Sequence, residues 1–430
     1  MNGTAVSDFA ELTDPVILAD FMRERLADSR NGCISVALHA KGRSATSSIS
    51  PVMVRAGCLA QLFTATLVLV AVRHRKFFLD DEIRFLLPAV PQRPATAFAG
   101  VTVRHLLNHT HGLDGSCASP VPMRPDGRID VARICSALTS TPPLAAPGAI
   151  YCHGTTGSYV AAAILEGLFE CSFEQLLNDE LLAPLGIPLL KDSEGNQTIC
   201  PATGGCLVLS AQSLLKFALW HLQGCTDDVT QCTSLDGFAE MYRIITPLPG
   251  FCLEQGAGLG WMWYGQDWFG CVATTRSGSA VVRIQRGGNV AFAVAATECN
   301  AVYATARLFG SQLPEFVNLR FPTALEGDDL SAVNLRQYTG CYQNAATSME
   351  VSQTNGFELA MRVHGRSAGP DSVADTWSAT LQPCGNDLFK MDFAPKGYSL
   401  FTHFSRPGGL GYTYVHNGAH LLRRATVESP

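Results

Sequence analysis

The chain has 430 residues, 47% of them hydrophobic and only 16% charged, against roughly 25% charged in an average soluble protein; disorder is excluded, and two or three domains are expected. Thirty-one Lys and Arg against 37 Asp and Glu leave a net charge of −6, and no basic run interleaves with aromatic residues, so the electrostatic footprint of a nucleic-acid binder is missing. The fifteen cysteines stand singly without a CxxC pair, which fits neither a disulfide framework nor a zinc site and reads as a reducing cytoplasm.

The opening residues, MNGTAVSDFAELTDP, carry acids, no basic residue and no apolar core, so no export signal is expected there. Helix-period stretches follow at 15–30, 58–74, 158–168, 173–182 and 211–222. They alternate with strand-like runs such as CISVALHA and VAFAVAAT, a mixture of helix and sheet. The most apolar run, 56–72, is about one turn short of a comfortable membrane span and contains Gln61; it reads as a buried core helix, and no membrane partner is expected. A polar segment, TALEGDDLSAVN, marks a boundary that divides the chain into 1–322 and 323–430. Beyond it, FELAMRVH, WSATLQP, LFKMDFA and GYTYVH alternate in polarity between turn residues, the pattern of a small antiparallel sheet or barrel.

The candidate chemistry starts at Arg55-Ala56-Gly57-Cys58-Leu59-Ala60-Gln61. Gly57 permits a tight turn, and the apolar run after it places Cys58 at a helix N-terminus, where exposed N–H groups and the positive end of the dipole favour thiolate. Gln61 lies one turn deeper on the same face, within side-chain reach of the sulfur.

This segment resembles the active-site helix of the serine β-lactamase and penicillin-binding-protein superfamily, in particular its class C β-lactamase and esterase branch, with the pattern G-S-x-T-K-x-F-T-A. Further similarities arrive in the family's order: VTVRHLLNHTHGL at 101–113, LLAPLGI at 181–187, GGCLVLSAQSLLKFALWHL at 204–222 and GLGW at 258–261. LRQYTGCY at 335–342 is similar to the opening of the lipocalin-like β-domain that often follows such enzymes. The resemblance implies an α+β fold: a β-lactamase-like antiparallel sheet flanked by helices, with a helical subdomain, then a small C-terminal β-barrel.

The departures carry the chemistry. Cys58 stands at the position of the nucleophilic serine and Gln61 at that of the catalytic lysine. Aligning PGAIYCHGTTGSYVAAAILE from Pro147-Gly148 to Glu166 puts His153 at the family's tyrosine and Thr155 at its asparagine, leaving Tyr151 two residues out of register. A thiol needs a weaker base than a hydroxyl, and imidazole is its usual partner. Cys58 and His153 are therefore expected to form a dyad that passes through a thiolate–imidazolium pair, with Gln61 orienting the thiol or the substrate.

The third motif is best matched by Arg276-Ser277-Gly278. The backbone N–H near Ser279 and that of Cys58 would form an oxyanion hole, and Arg276 would clamp a carboxylate or phosphate. Thr155 and Tyr151 are further substrate-binding candidates; Trp261 and Trp263 are candidate pocket walls. His105, His109 and His111 have ligand-like spacing, but no carboxylate or Cys completes a metal site, so neither metal nor other cofactor is expected. Cys152 reads as a bystander. The leading expectation is a cytoplasmic cysteine acyltransferase of small-molecule biosynthesis that takes a small or carrier-bound acyl substrate through a thioester on Cys58. The alternatives are an esterase, thioesterase or amidase using the same dyad, and a non-catalytic binding protein. Oligomeric state is left open.

Overall fold

The computed structural model of the chain describes residues 8–27, 32–87, 98–115, 120–191, 200–204, 207–223, 238–243, 246–248, 253–275, 277–298, 300–314, 324–354, 356–365, 376–392, 401–406, 412–417 and 420–425. Asp14 starts helix α1 (Pro15–Arg25) by accepting from the Val16 and Ile17 N–H groups, with Pro15 at the first helical position. The chain continues through β1 (Cys33–Ala40), β2 (Arg43–Ser48) and β3 (Met53–Arg55) into α2 (Leu59–Arg73). Helices α3 (Ile83–Leu86), α4 (Val103–Leu107), α5 (Val131–Ser140), α6 (Thr156–Phe169) and α7 (Phe173–Leu177) follow. The helical stretch expected over 173–182 stops at Leu177 and widens into a π turn, Asn178–Leu182. Then come β4 (Leu190–Lys191), β5 (Leu207–Ser210), α8 (Ala211–Gln223), β6 (Thr246–Pro247), β7 (Gly256–Ala257), β8 (Met262–Trp263), β9 (Trp268–Thr275), β10 (Gly278–Gln285), β11 (Val290–Thr297) and α9 (Ala301–Phe309).

The main sheet is antiparallel, in the order β2-β1-β11-β10-β9-β8-β7-β6, and a small sheet β3-β5-β4 lies beside it. Both faces of the main sheet are covered, which is why its central strands are apolar throughout rather than alternating. On β11 the small residues Ala291, Ala293 and Ala295 face one core with α2, α6 and α8. Phe292, Val294 and Ala296 face a second core with α1 and α9. Helix α2 is buried on all sides from Leu59 to Ala71, as a central helix must be.

The C-terminal part is a closed eight-stranded barrel, as its alternating pattern implied: β12 (Gly340–Gln343), β13 (Thr347–Gln353), β14 (Leu359–Gly365), β15 (Thr376–Pro383), β16 (Leu388–Met391), β17 (Phe401–Ser405), β18 (Tyr414–Asn417) and β19 (His420–Arg424). Each strand pairs with the next and β12 closes on β19, which removes exposed edges. Inward residues such as Met349, Met361, Leu381 and Phe404 fill the interior. The barrel docks through two apolar patches, one joining Leu388 to Tyr151, Leu248 and Ala257, the other joining Leu421 to Leu144 and Cys152. Among the described residues no helix is long and apolar enough to cross a membrane.

Phe292 is fully buried and touches the rings of Phe9, Trp268 and Phe309. Phe292→Ala is expected to destabilise the protein by about 3–5 kcal/mol in urea unfolding; a loss below about 1 kcal/mol would contradict this packing.

Candidate active site

Three chain crossings assemble the site. At the first, Gly57 adopts φ +48°, and a Cβ there would lie 2.8 Å from Thr275 Cγ2. A Cβ on Gly204 would meet the Gly57 carbonyl oxygen at 2.1 Å, so only glycine fits on either side of this approach. The turn delivers Cys58 as the N-cap of α2, half-buried, as the sequence pattern predicts. Its electrostatics differ from expectation. Burial pushes the Cys58 thiol above its usual range, a hydrogen bond from its own backbone opposes this, and the Glu254 carboxylate adds to it. The resting group is the neutral thiol, because desolvation outweighs the helix terminus.

Gln61 is buried, and its side-chain amide donates to the Gly154 carbonyl at 3.3 Å. This bond brings the helix that starts at Cys58 to the segment bearing His153. That segment is woven against residues 109–115: the Cys152 N–H donates to His109 O at 2.7 Å, and the Thr155 N–H to Gly115 O at 2.9 Å. The Thr156 hydroxyl donates to Asp114 O at 2.6 Å. A Cβ on Gly154 would lie 2.2 Å from Gly115 O. Thr155 is half-buried at the N-cap of α6 without a side-chain capping bond.

The His153 ring lies 4.8 Å from the His109 ring and 6.0 Å from that of His420, which comes from β19 of the barrel. Among the described residues, neither His153 nor His109 has a hydrogen-bond partner for its buried Nδ1. Burial, then His109 and His420, drives the His153 pKa well below its usual value, and burial with His111 lowers that of His109 to about 3. Both rings are neutral at pH 7. His109 holds this place with φ +59°, a left-handed conformation costing a non-glycine residue about 1–3 kcal/mol. His105 completes the capping box of α4, and His111 Nδ1 accepts from the Leu113 N–H at 3.0 Å; both roles are structural.

The third segment needs corrections. Arg276 lies outside the described residues. Ser277 sits in the tight turn between β9 and β10 rather than within a strand, and its hydroxyl accepts from the Arg55 N–H and bonds Thr275 Oγ1. Gly278 has φ +143°, and a Cβ there would meet Ala296 O at 2.4 Å, so it serves the sheet. Ser279 is buried with its hydroxyl accepting from the Ala301 N–H at the start of α9. It is paired with Thr274 on β9 and Ala296 on β11; backbone groups of an interior strand are taken by the ladder, so Ser279 is not the oxyanion donor. Tyr151 is buried in the barrel interface and Trp261 is fully buried against Phe217 and Tyr242. Trp263 is half-buried on β8, its indole N–H donating to Gln266 O.

Sequence reasoning missed three groups. Strand β8 pairs only with Phe269 and Gly270, so along 271–275 that side of β9 has no strand partner among the described residues, and this open edge adjoins Gly57 and Cys58. Cys271 on it places Sγ 3.9 Å from the Cys58 carbonyl oxygen. Glu254, hydrogen-bonded by the Tyr264 hydroxyl at 2.8 Å, has no motif around it. His420 carries no local signal because it belongs to the other part of the chain.

A protein-family model described as "Beta-lactamase" matches residues 52–301. The chain is 26% identical over 311 residues to penicillin-binding protein 4 of Amycolatopsis lactamdurans, covering 62% of this chain and 78% of that protein. The solved structure described as SurE with D-Leu superposes with a TM-score of 0.74 at 21% identity over 97% of this chain and 100% of that one. The D-amino acid amidase from Ochrobactrum anthropi SV3, solved with L-phenylalanine amide, superposes with a TM-score of 0.54 at 15% identity, over 70% of this chain and 98% of its own.

Burial lowers the pKa values of His109, His111 and His221 from 6.5 to about 3, 4 and 3. The unfolded chain binds protons first as the pH falls, so this contribution to stability is complete above about pH 6.5 and is lost below it, by up to about 1.4 kcal/mol per pH unit for each histidine. The urea midpoint is expected to fall steadily from pH 7 to pH 5; an unchanged midpoint would contradict neutral burial.

Proposed function

Because the chain belongs to the beta-lactamase family, whose members include acyl-transferring hydrolases and amidases, we propose that it is a cysteine-dependent acyltransferase with Cys58 as nucleophile and His153 as general base. The observation that supports this reading most is the Gln61 to Gly154 hydrogen bond, which joins the helix beginning at Cys58 to the peptide that follows His153. The proposed mechanism starts from a neutral thiol and a neutral imidazole. A preformed thiolate–imidazolium pair is disfavoured by burial on both sides, so the proton moves from Cys58 Sγ to His153 as the C–S bond forms. The resulting oxyanion is received by the Cys58 N–H and an N–H on the open edge of β9, in place of Ser279.

Collapse expels the leaving group, which takes the proton back from His153 and leaves an acyl thioester on Cys58. An amine, alcohol or carbon acceptor then attacks that thioester, gives its proton to His153, and releases the thiolate to be reprotonated. A thioester is more resistant to water relative to amines than an oxygen ester is, which favours transfer. The substrate is a small or carrier-bound acyl compound, the setting is small-molecule biosynthesis in the cytoplasm, and no cofactor takes part. Hydrolysis by the same dyad is the second reading, favoured by the likeness to a D-amino acid amidase.

Intact-mass measurement of wild type, Cys58→Ala and His153→Ala after exposure to a panel of acyl thioesters tests this. Wild type is expected to gain one acyl mass, Cys58→Ala none, and His153→Ala the same mass about 10²–10⁴-fold more slowly. Added amine is expected to discharge the adduct faster than water, whereas equal loss in both would select hydrolysis. A wild type that takes no acyl group, with Cys58 alkylating like an ordinary thiol, would leave a binding protein.

A further inference from the structure

The stretch that presents His153 is gripped from outside by the barrel. Tyr414 Oη on β18 donates to Leu144 O at 2.8 Å, and Arg423 Nη1 on β19 donates to Pro143 O at 3.3 Å. His416 Nε2 lies 2.9 Å from Tyr151 O. Since a carbonyl only accepts, His416 donates from Nε2. The His420 ring stands edge-on to the His153 ring at 72°, with 6.0 Å between centroids. Asp114, which precedes Gly115 at the crossing with Gly154, accepts from the Ala345 N–H of the barrel at 2.6 Å. Tyr414, Arg423 and His416 all take backbone carbonyls, so this part of the grip is indifferent to the side chains at 143–153 and leaves no trace in their sequence.

This arrangement supplies something the segment lacks. A catalytic imidazole is usually oriented by a third group bonded to its second nitrogen, and no described residue bonds Nδ1 of His153. What fixes the ring is its packing between His109 and His420. We propose that the barrel is the positioning element of the site: β18 and β19 clamp residues 143–153, and His420 is the positioning residue that sets the His153 imidazole toward Cys58. This rests on His153 being the base. It assigns the C-terminal barrel a part in the reaction.

The test uses the full-length chain with His420→Ala, His420→Gln and Tyr414→Phe. Hydrogen–deuterium exchange read by mass spectrometry is expected to speed up across 151–156 by about tenfold in His420→Ala, the consequence of losing the ring that packs edge-on against His153. Protection in β1, β10 and β11 should be unchanged. His420→Gln retains a planar group of similar reach beside the His153 ring and is expected to restore most of the protection, and Tyr414→Phe is expected to loosen 143–145 with no other disturbance. Acylation of Cys58 by a thioester should slow about tenfold in His420→Ala, and the same change made in His153→Ala should cost nothing further, because a residue acting through His153 has nothing left to position. Unchanged exchange at 151–156, or an acylation loss undiminished in the His153→Ala background, would overturn the proposal. If no thioester acylates the wild type, the acyl-transfer reading fails, and exchange at 151–156 still decides whether the clamp exists.

Discussion

Where the backbone at Gly115 crosses the chain at Gly154, the two lie too close for any side chain between them: a Cβ on Gly154 would sit 2.2 Å from Gly115 O. Everything around the candidate base depends on that crossing. It sets the peptide after His153 against the Gln61 amide, stacks His153 on His109, and leaves Asp114 turned outward to hold the barrel at Ala345. A second crossing of the same kind, Gly57 against Gly204 and Thr275, fixes the start of α2 beside the open edge of β9. The site is thus framed by backbone contacts that only glycine allows, and the side chains within the frame are free to differ in chemistry.

Burial defines the electrostatics inside this frame. Desolvation raises the Cys58 thiol and lowers the His153 imidazole, so both shifts oppose the ion pair on which many cysteine nucleophiles rely. Charge is instead to be created only as substrate arrives, in a place prepared by the helix terminus and an unpaired strand edge.

Much of the architecture was legible in the sequence, for identifiable reasons. The unbroken apolar runs at β1 and β11 reflect a sheet covered on both faces, the alternation after residue 340 reflects a barrel with one wet face, and Gly57 before an apolar run marks the turn into α2. That Cys58 begins a helix and that Gln61 lies one turn inside it were readable because this segment's backbone role is strongly specified. What was illegible involved pairs of residues far apart in the chain. Ser279 and Trp261 look like site residues until the ladder and the core absorb them, and Tyr151 until Leu388 of the barrel covers it. His420 and Glu254 act on the site from segments with no signature of their own, and the lowered acidity of Cys58 follows from burial that no helix-terminus argument contains.

The most direct measurement is the rate of Cys58 acylation by a single acyl thioester as a function of pH, in H₂O and in D₂O, for wild type and His153→Ala. A neutral pair that transfers its proton during attack predicts a rate that is flat between about pH 6 and 8, because neither group titrates there, slower in D₂O, and strongly reduced without His153. A rate that climbs about tenfold per pH unit like a free thiol, indifferent to D₂O and to His153, would contradict it.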